Sequence, residues 1–433
     1  MHQSPGISAI SYRQGEPLAC YELWQSALTP GSDSLLAVDF ELVQYWLDGA
    51  APLPLTALYC VDKGCLSVAV TDQSLSLDEV GAVEQFRAWV DEHGLACATA
   101  GMPLELLPSC IPKPWGQEIW YTGVERRGVC RFAGGDGCTP IPWLQAVLPE
   151  AALGLFGQPL LLLKILDPVP QPITGDLYFE LHEQKRAVYV VTQVDERAWP
   201  DGVGYIRFGF DPGQFDGDAS HEDFRARYLA AVQAYEHVRR GLDDLPDGEL
   251  PSPAQLALEQ QLREEMNSFT RLRPLRVGDV VAVPPLLPHA LQHGVRTVEF
   301  QTPVYERKIL SFAQKVLTQD HWDTPSAVDQ MMLSQAQELP FELLVQGGDL
   351  VVERIVDFPD FEVWRIRLER EAPFTPNAME AYGILMVVEG EMALDGHNYQ
   401  AEQALLLPRH WQGVLTPANP AQPLVLLLAL PRI

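Results

Sequence analysis

Two histidines and one glutamate stand at spacings that suit a divalent metal. In the segment GDLYFELHEQKRAVYVV, Glu180 and His182 are separated by one residue, and on a β-strand residues i and i+2 project from the same face. Further along, VGDVVAVPPLLPHALQHG carries His289. Gly278 and Asp279 turn the chain into one strand, Pro284 and Pro285 end it, and the next strand begins at His289 with its imidazole directed inward. Two imidazoles and one carboxylate are enough for a divalent ion and leave coordination positions open for a substrate. His293, four residues after His289, is expected beside the site or exposed, and the remaining histidines have no partner at ligand spacing.

Lys164 sits in the run PLLLLKILD. A lysine among leucines is costly to bury unless it is paired or turned to a cavity, so it reads either as a pocket cation or as a side chain snorkelling to a rim.

The elements that must position these groups follow from the texture of the chain. Residues 1–105 mix short apolar runs with one helical stretch, 76–94, and read as a small α/β domain without a chemical motif. From 106 to about 210, short strands rich in Val, Ile, Tyr and Phe are punctuated by Pro and Gly, the signature of a sandwich or barrel. A helical insertion at about 217–270 interrupts them. Phe224, Tyr228, Val232 and Tyr235 fall on one face of its first helix, and Ser252, Pro253 and Gln255 open the second as a capped N-terminus. Strands resume to about 310, a polar connector covers about 311–345, and the last ninety residues again read as all-β. The expected division is 1–105, 106–320 and 340–433, within a mainly β fold.

With 433 residues, 47% of them hydrophobic and 20% charged, the chain is a folded protein of several domains. A formal net charge of −28 would repel a phosphate backbone or an anionic lipid surface, so nucleic acid and membrane partners are not expected. No run reaches the roughly 18 to 20 apolar residues of a membrane span, and no export signal is legible at the N-terminus, which makes a cytoplasmic location the default expectation. The seven cysteines form no C-x-x-C pair, which argues against a zinc ribbon or a disulfide scaffold and for buried thiols. No organic cofactor is indicated.

The spacing Gly278, five residues, Pro284, one residue, Leu286, two residues, His289 resembles the second metal motif of the cupins, G-x5-P-x-G-x2-H, with Leu286 at the second glycine. The first cupin motif usually adds a glutamate four or five residues after its second ligand, where this chain has Arg186 and Ala187. Taken in order, PKPWGQEIWYTG, PLLLLKILD, YFELHEQKRAVYVV, the helical insertion, LRVGDVVAVPPLLPHAL and GVRTVEFQTPVYERKI resemble class I mannose-6-phosphate isomerases over residues 106–433. The resemblance implies two cupin-type double-stranded β-barrels with the helical insertion, here preceded by the small α/β domain. It also implies a divalent metal, zinc first, with iron, manganese or nickel as alternatives. His182 and His289 match the family's two histidine ligands, Glu180 stands where a glutamine ligand would be, and Ala187 stands where a glutamate ligand would be.

The family's E-x-Q strand followed by an arginine is matched by Glu299, Gln301 and Arg307, with the last gap about two residues shorter, and Lys164 resembles a lysine facing the sugar site. The implied activity is aldose–ketose isomerisation of a sugar or sugar phosphate through an enediol. Glu299 would be the general base, with Arg307 and Lys164 stabilising negative charge. In the last barrel, Gly413 occupies the place after Pro408 where a histidine would stand, which implies a metal-free unit, either structural or a homodimer surface. Two other readings remain: a barrel that binds a sugar or metabolite without turnover, as the missing carboxylate at 187 allows, and a non-haem iron oxygenase, which uses the same two-histidine, one-carboxylate set.

Overall fold

The computed structural model describes residues 9–432 apart from 74–82, 135–136, 155–158, 215–220, 247, 318, 338–339 and 377–378. The chain is mainly β and contains several sheets with few helices. It divides into two compact units, one of residues 1–109, 120–161 and 341–433, the other of 110–119 and 162–340.

In the first unit, the N-terminal segment forms a five-stranded sheet in sequence order. Its first two strands, Ala9–Gln14 and Ser34–Leu42, run parallel because helix Pro17–Ala27 makes the crossover between them. The helical stretch expected at 76–94 includes helix Phe86–Glu92, after which Gly94 adopts φ 63°; its proposed start at 76 lies outside the described residues. A nine-stranded sheet carries the C-terminal strands, and within it Leu104–Leu107 pairs antiparallel with Ala404–Leu407.

The second unit holds every residue singled out for chemistry. One sheet has six strands in the order Val280–Val283, Ala187–Val194, Val295–Gln301, Leu162–Pro168, Gly116–Trp120 and Ser109–Lys113. The other has five, in the order Thr270–Leu275, Gly204–Phe210, His289–Leu291, Phe179–Leu181 and Lys308–Ser311. Their inner faces share one apolar core that includes Trp115, Phe179, Leu181, Ala187, Tyr189 and Leu291. Helix His221–Asp243 closes on this core through the face expected from its periodicity: Phe224, Tyr228, Val232 and Tyr235 are all buried, and Phe210 meets both Phe224 and Tyr228 at 5.1 Å between ring centres. Helix Pro253–Ser268 starts in a full capping box between Ser252 and Gln255. The polar connector contains an unexpected short helix, Thr324–Gln330, which packs Ala327 and Val328 into the same core.

The loop from Gly278 to His289 has the conformation its spacing requires. Gly278 takes φ 89°, which a side chain would strain. Leu286, standing where the cupin motif has its second glycine, is itself left-handed at φ 65°. Leucine is held there because its N–H donates to the His182 carbonyl at 2.6 Å and its carbonyl accepts from Met332 at 2.7 Å, while the side chain packs on the core. The turn that delivers His289 is thus tied directly to the backbone of the other histidine.

Candidate metal centre

Two rows of side chains meet inside the second unit. In the five-stranded sheet Glu180 and His289 are directly opposed partners, and His182 follows one residue after its strand ends at Leu181. In the six-stranded sheet Glu299 is opposed on one side by Lys164 and on the other by Tyr189, so these three form a row across adjacent strands. The next row of that sheet brings Ala187 opposite Gln301. Tyr189 links the two sheets, its hydroxyl lying 3.0 Å from Nε2 of His289.

Glu180, His182 and His289 converge, with one ligand atom from each lying within 4.8 Å of the others. His182 Nε2 is 3.7 Å from Glu180 Oε1. Both imidazoles are held in the form a metal needs. His182 Nδ1 donates to the Glu306 carbonyl at 2.8 Å and His289 Nδ1 donates to the Leu287 carbonyl at 2.9 Å, which leaves each Nε2 with its lone pair. His182 Nε2 and Glu180 Oε2 are buried with no hydrogen-bond partner. A buried polar atom without a partner is costly, and a cation placed between these donors would satisfy both. The donor set therefore fits a divalent ion, with Ala187 contributing nothing at the position where the resemblance places a carboxylate.

Burial and the nearby charge of Lys185 hold His182 well below the ordinary histidine range, and burial brings His289 down to about 4. An unfolded histidine titrates near 6.5, so between about 6.5 and about 4 the unfolded chain takes up protons that the fold refuses. Metal-free protein is therefore expected to lose stability as pH falls through that window, by about 3 kcal/mol for His289 alone. Denaturant midpoints at pH 7 and pH 4.5 measure this, and the His182→Phe, His289→Phe double variant should show a much flatter dependence.

His182 owes its orientation to a neighbour outside the two rows. The Glu306 carboxylate accepts from the backbone N–H groups of Glu183, Gln184 and Lys185 at 3.0, 3.0 and 3.1 Å, while its own carbonyl takes the His182 proton. Replacing Glu306 with alanine strands three donors and loosens the loop that carries His182. We expect metal affinity to fall about 10- to 100-fold, measured by competition with a chromophoric chelator.

The opposite row is a buried chain of alternating charge. Lys113 pairs with Glu118 at 2.7 Å, Glu118 reaches Lys164 at 3.6 Å, and Lys164 pairs with Glu299 at 3.0 Å. Burial opposes a charge on Lys164, but Glu299 and Glu118 outweigh it and raise its pKa. Glu299 is pushed up by burial, against the pull of Lys164. Among the described residues no carboxylate pairs so closely with Lys185: its Nζ donates to Gln301 Oε1 at 3.3 Å, and burial together with repulsion from Lys164 lowers its pKa to about 8. Tyr189 is raised well above 10, chiefly by burial and then by Glu299. Arg307 stands at the edge, 3.7 Å from Glu180 and 4.7 Å over the Tyr178 ring.

The structure thus gathers Glu180, His182, His289, Lys164, Glu299 and Arg307 around one interior. Lys164 is 7% exposed, which makes it an internal cation and not one snorkelling to the rim. His293 lies apart, bonded to Asp176 at 2.7 Å and stacked on Trp199. Sequence reasoning missed Lys185, Tyr189, Glu118, Lys113 and Glu306. A signal existed for two of them, since Lys185, Ala187 and Tyr189 alternate on one strand face just after His182. For Glu118, Lys113 and Glu306 none did, because only strand pairing brings them near.

No family model matches the chain, and no curated protein matches it in sequence. Solved structures do match in fold. Mannose 6-phosphate isomerase from Bacillus subtilis aligns with a TM-score of 0.55 at 13% identity, covering 76% of this chain and 99% of that one. A zinc-bound mannose 6-phosphate isomerase aligns with a TM-score of 0.53 at 13% identity, over 76% of this chain and all (100%) of the other. A single-residue variant of phosphomannose isomerase from Salmonella typhimurium gives 0.54 at 14% identity, with 76% and 100% coverage. What this chain shares with the mannose 6-phosphate isomerases is therefore the fold, carried over about three quarters of its length.

Proposed function

We propose that the second unit is a cupin-type metal-dependent aldose–ketose isomerase that acts on a sugar or sugar phosphate. The observation that carries this reading is the convergence of His182 Nε2 and Glu180 Oε2, both buried and without a hydrogen bond, on the same interior as His289, with only the loose 3.7 Å ion pair to Arg307 on the carboxylate. The zinc-bound isomerase that shares the fold supports it. When bound by Glu180, His182 and His289, a divalent ion, zinc first, supplies Lewis-acid polarisation of substrate oxygens.

The protein's own groups move the protons. Glu299, paired with Lys164 at 3.0 Å and pushed up by burial, is the base that takes the C2 proton of the open-chain aldose and returns it at C1. Lys185, with a pKa of about 8, is suited to give a proton to O1 as the enediol forms and to take one from O2 as it collapses to the ketose. Lys164 and Arg307 balance negative charge on the enediol and on a phosphate at the edge of the site. The test is elemental analysis of untagged protein, followed by NMR of solvent-deuterium incorporation at C1 and C2 of aldose phosphates with zinc. About one metal per chain with exchange at both carbons is the expected result. No metal after reconstitution, or metal without exchange on any aldose, overturns it.

A further inference from the structure

Ala187 leaves the metal set one protein donor short, and the side chain two residues further along the same strand face reaches the site instead. We propose that Tyr189 is the fourth protein ligand, binding the ion through its phenol oxygen; this rests on the metal-dependent reading above. The Tyr189 hydroxyl lies 3.0 Å from His289 Nε2. Two donors each about 2.1 Å from one tetrahedral ion would lie about 3.4 Å apart, so a shift of about 0.4 Å from this hydrogen bond would bring the oxygen to share an ion with the imidazole nitrogen. Its ring is 4% exposed and rises from the strand that pairs with Glu299, directed at the other sheet.

Loading the site forces a choice on this hydroxyl. Here it donates to His289 Nε2, whose Nδ1 proton is committed to the Leu287 carbonyl. Once Nε2 gives its lone pair to an ion, that acceptor is gone, and the phenol would be left buried without a partner. Coordination resolves this: the O–H bond breaks, the proton passes to buffer, and the oxygen's pair goes to the metal. An oxygen donor at 189 also restores the anionic ligand that a carboxylate at 187 would have supplied.

The alternative is a hydroxyl that merely competes with the metal for His289, and it predicts the opposite sign. Zinc affinity of the purified full chain would be measured by chelator competition for wild type, Tyr189→Phe and His289→Ala. A fall of about 10- to 100-fold in Tyr189→Phe supports ligation, whereas unchanged or tighter binding overturns it. Ferric iron gives a second readout, because a phenolate ligand produces a visible charge-transfer band. The band should appear in wild type and vanish in Tyr189→Phe, with the variant still folded; a colourless wild-type ferric complex overturns the assignment. Zinc bound equally by wild type and Tyr189→Phe but not by His289→Ala would sink the tyrosine ligand and leave the metal centre standing, while no zinc in any of the three would sink both.

Discussion

Replacing His182 and His289 together by alanine is expected to empty the metal site and to lower turnover about 1,000-fold or more. Lewis-acid stabilisation of an enediolate is worth several kcal/mol, and each 1.36 kcal/mol is tenfold in rate. The surviving Glu180 is paired only loosely with Arg307, at 3.7 Å, and cannot hold a divalent ion against water by itself. The same change removes two buried imidazoles whose protonation the fold refuses, so the acid sensitivity of the metal-free protein should shrink as activity disappears. Metal content by mass spectrometry and isomerase rate on the same preparation check both halves. Full activity in protein shown to be metal-free would remove the centre from the mechanism.

Lys185→Met is expected to separate stability from activity. In the fold Lys185 titrates near 8, against about 10.4 for a free lysine, and a shift of that size corresponds to about 3 kcal/mol of unfavourable burial at neutral pH. The unfolded chain holds this proton more firmly, so wild-type stability should rise with pH between about 8 and about 10.4, where the penalty vanishes. Methionine fills similar volume without a charge. The variant should therefore be more stable than wild type at pH 7 in metal-free form, by up to about 3 kcal/mol, and the gap should close toward pH 10. Turnover should fall about 100- to 10,000-fold through loss of the proton carrier. In wild type the rate should decline as pH rises through about 8, since a neutral lysine cannot protonate O1. Denaturant melts and pH–rate profiles of both proteins decide it, and a variant with wild-type turnover would exclude Lys185 from the proton path.

Local pattern was enough for those groups whose neighbours are close in sequence. Glu180 and His182 sit one residue apart, and the Gly278 to His289 spacing specified a turn, a strand, a proline stop and an inward imidazole, all of which the fold contains. The apolar face of helix His221–Asp243 and the capping box at Ser252 were legible for the same reason, since both are properties of a few consecutive residues. Helix Thr324–Gln330 escaped notice because it is short and polar, and is held by contacts to residues far along the chain.

Pairing between distant strands was not legible. Leu104–Leu107 lies beside Ala404–Leu407, and nothing in either four-residue run names its partner. The charge chain from Lys113 to Glu299 arises the same way: Lys164 and Glu299 become neighbours only because their strands pair in that register, and a slip of one residue would turn one of them to the opposite face. Glu306 is in the same position, 124 residues from the histidine it orients.

By itself, then, the sequence determined the donor types, their close spacing and the turn that aims His289, because these depend on backbone geometry over a few residues. Only the tertiary structure decided that Lys185 titrates near 8, that Lys164 is locked between two carboxylates and that Tyr189 stands beside the imidazole of His289. Those properties come from burial and from charges brought together across strands, and desolvation and Coulomb energy depend on distance in space, not on distance along the chain.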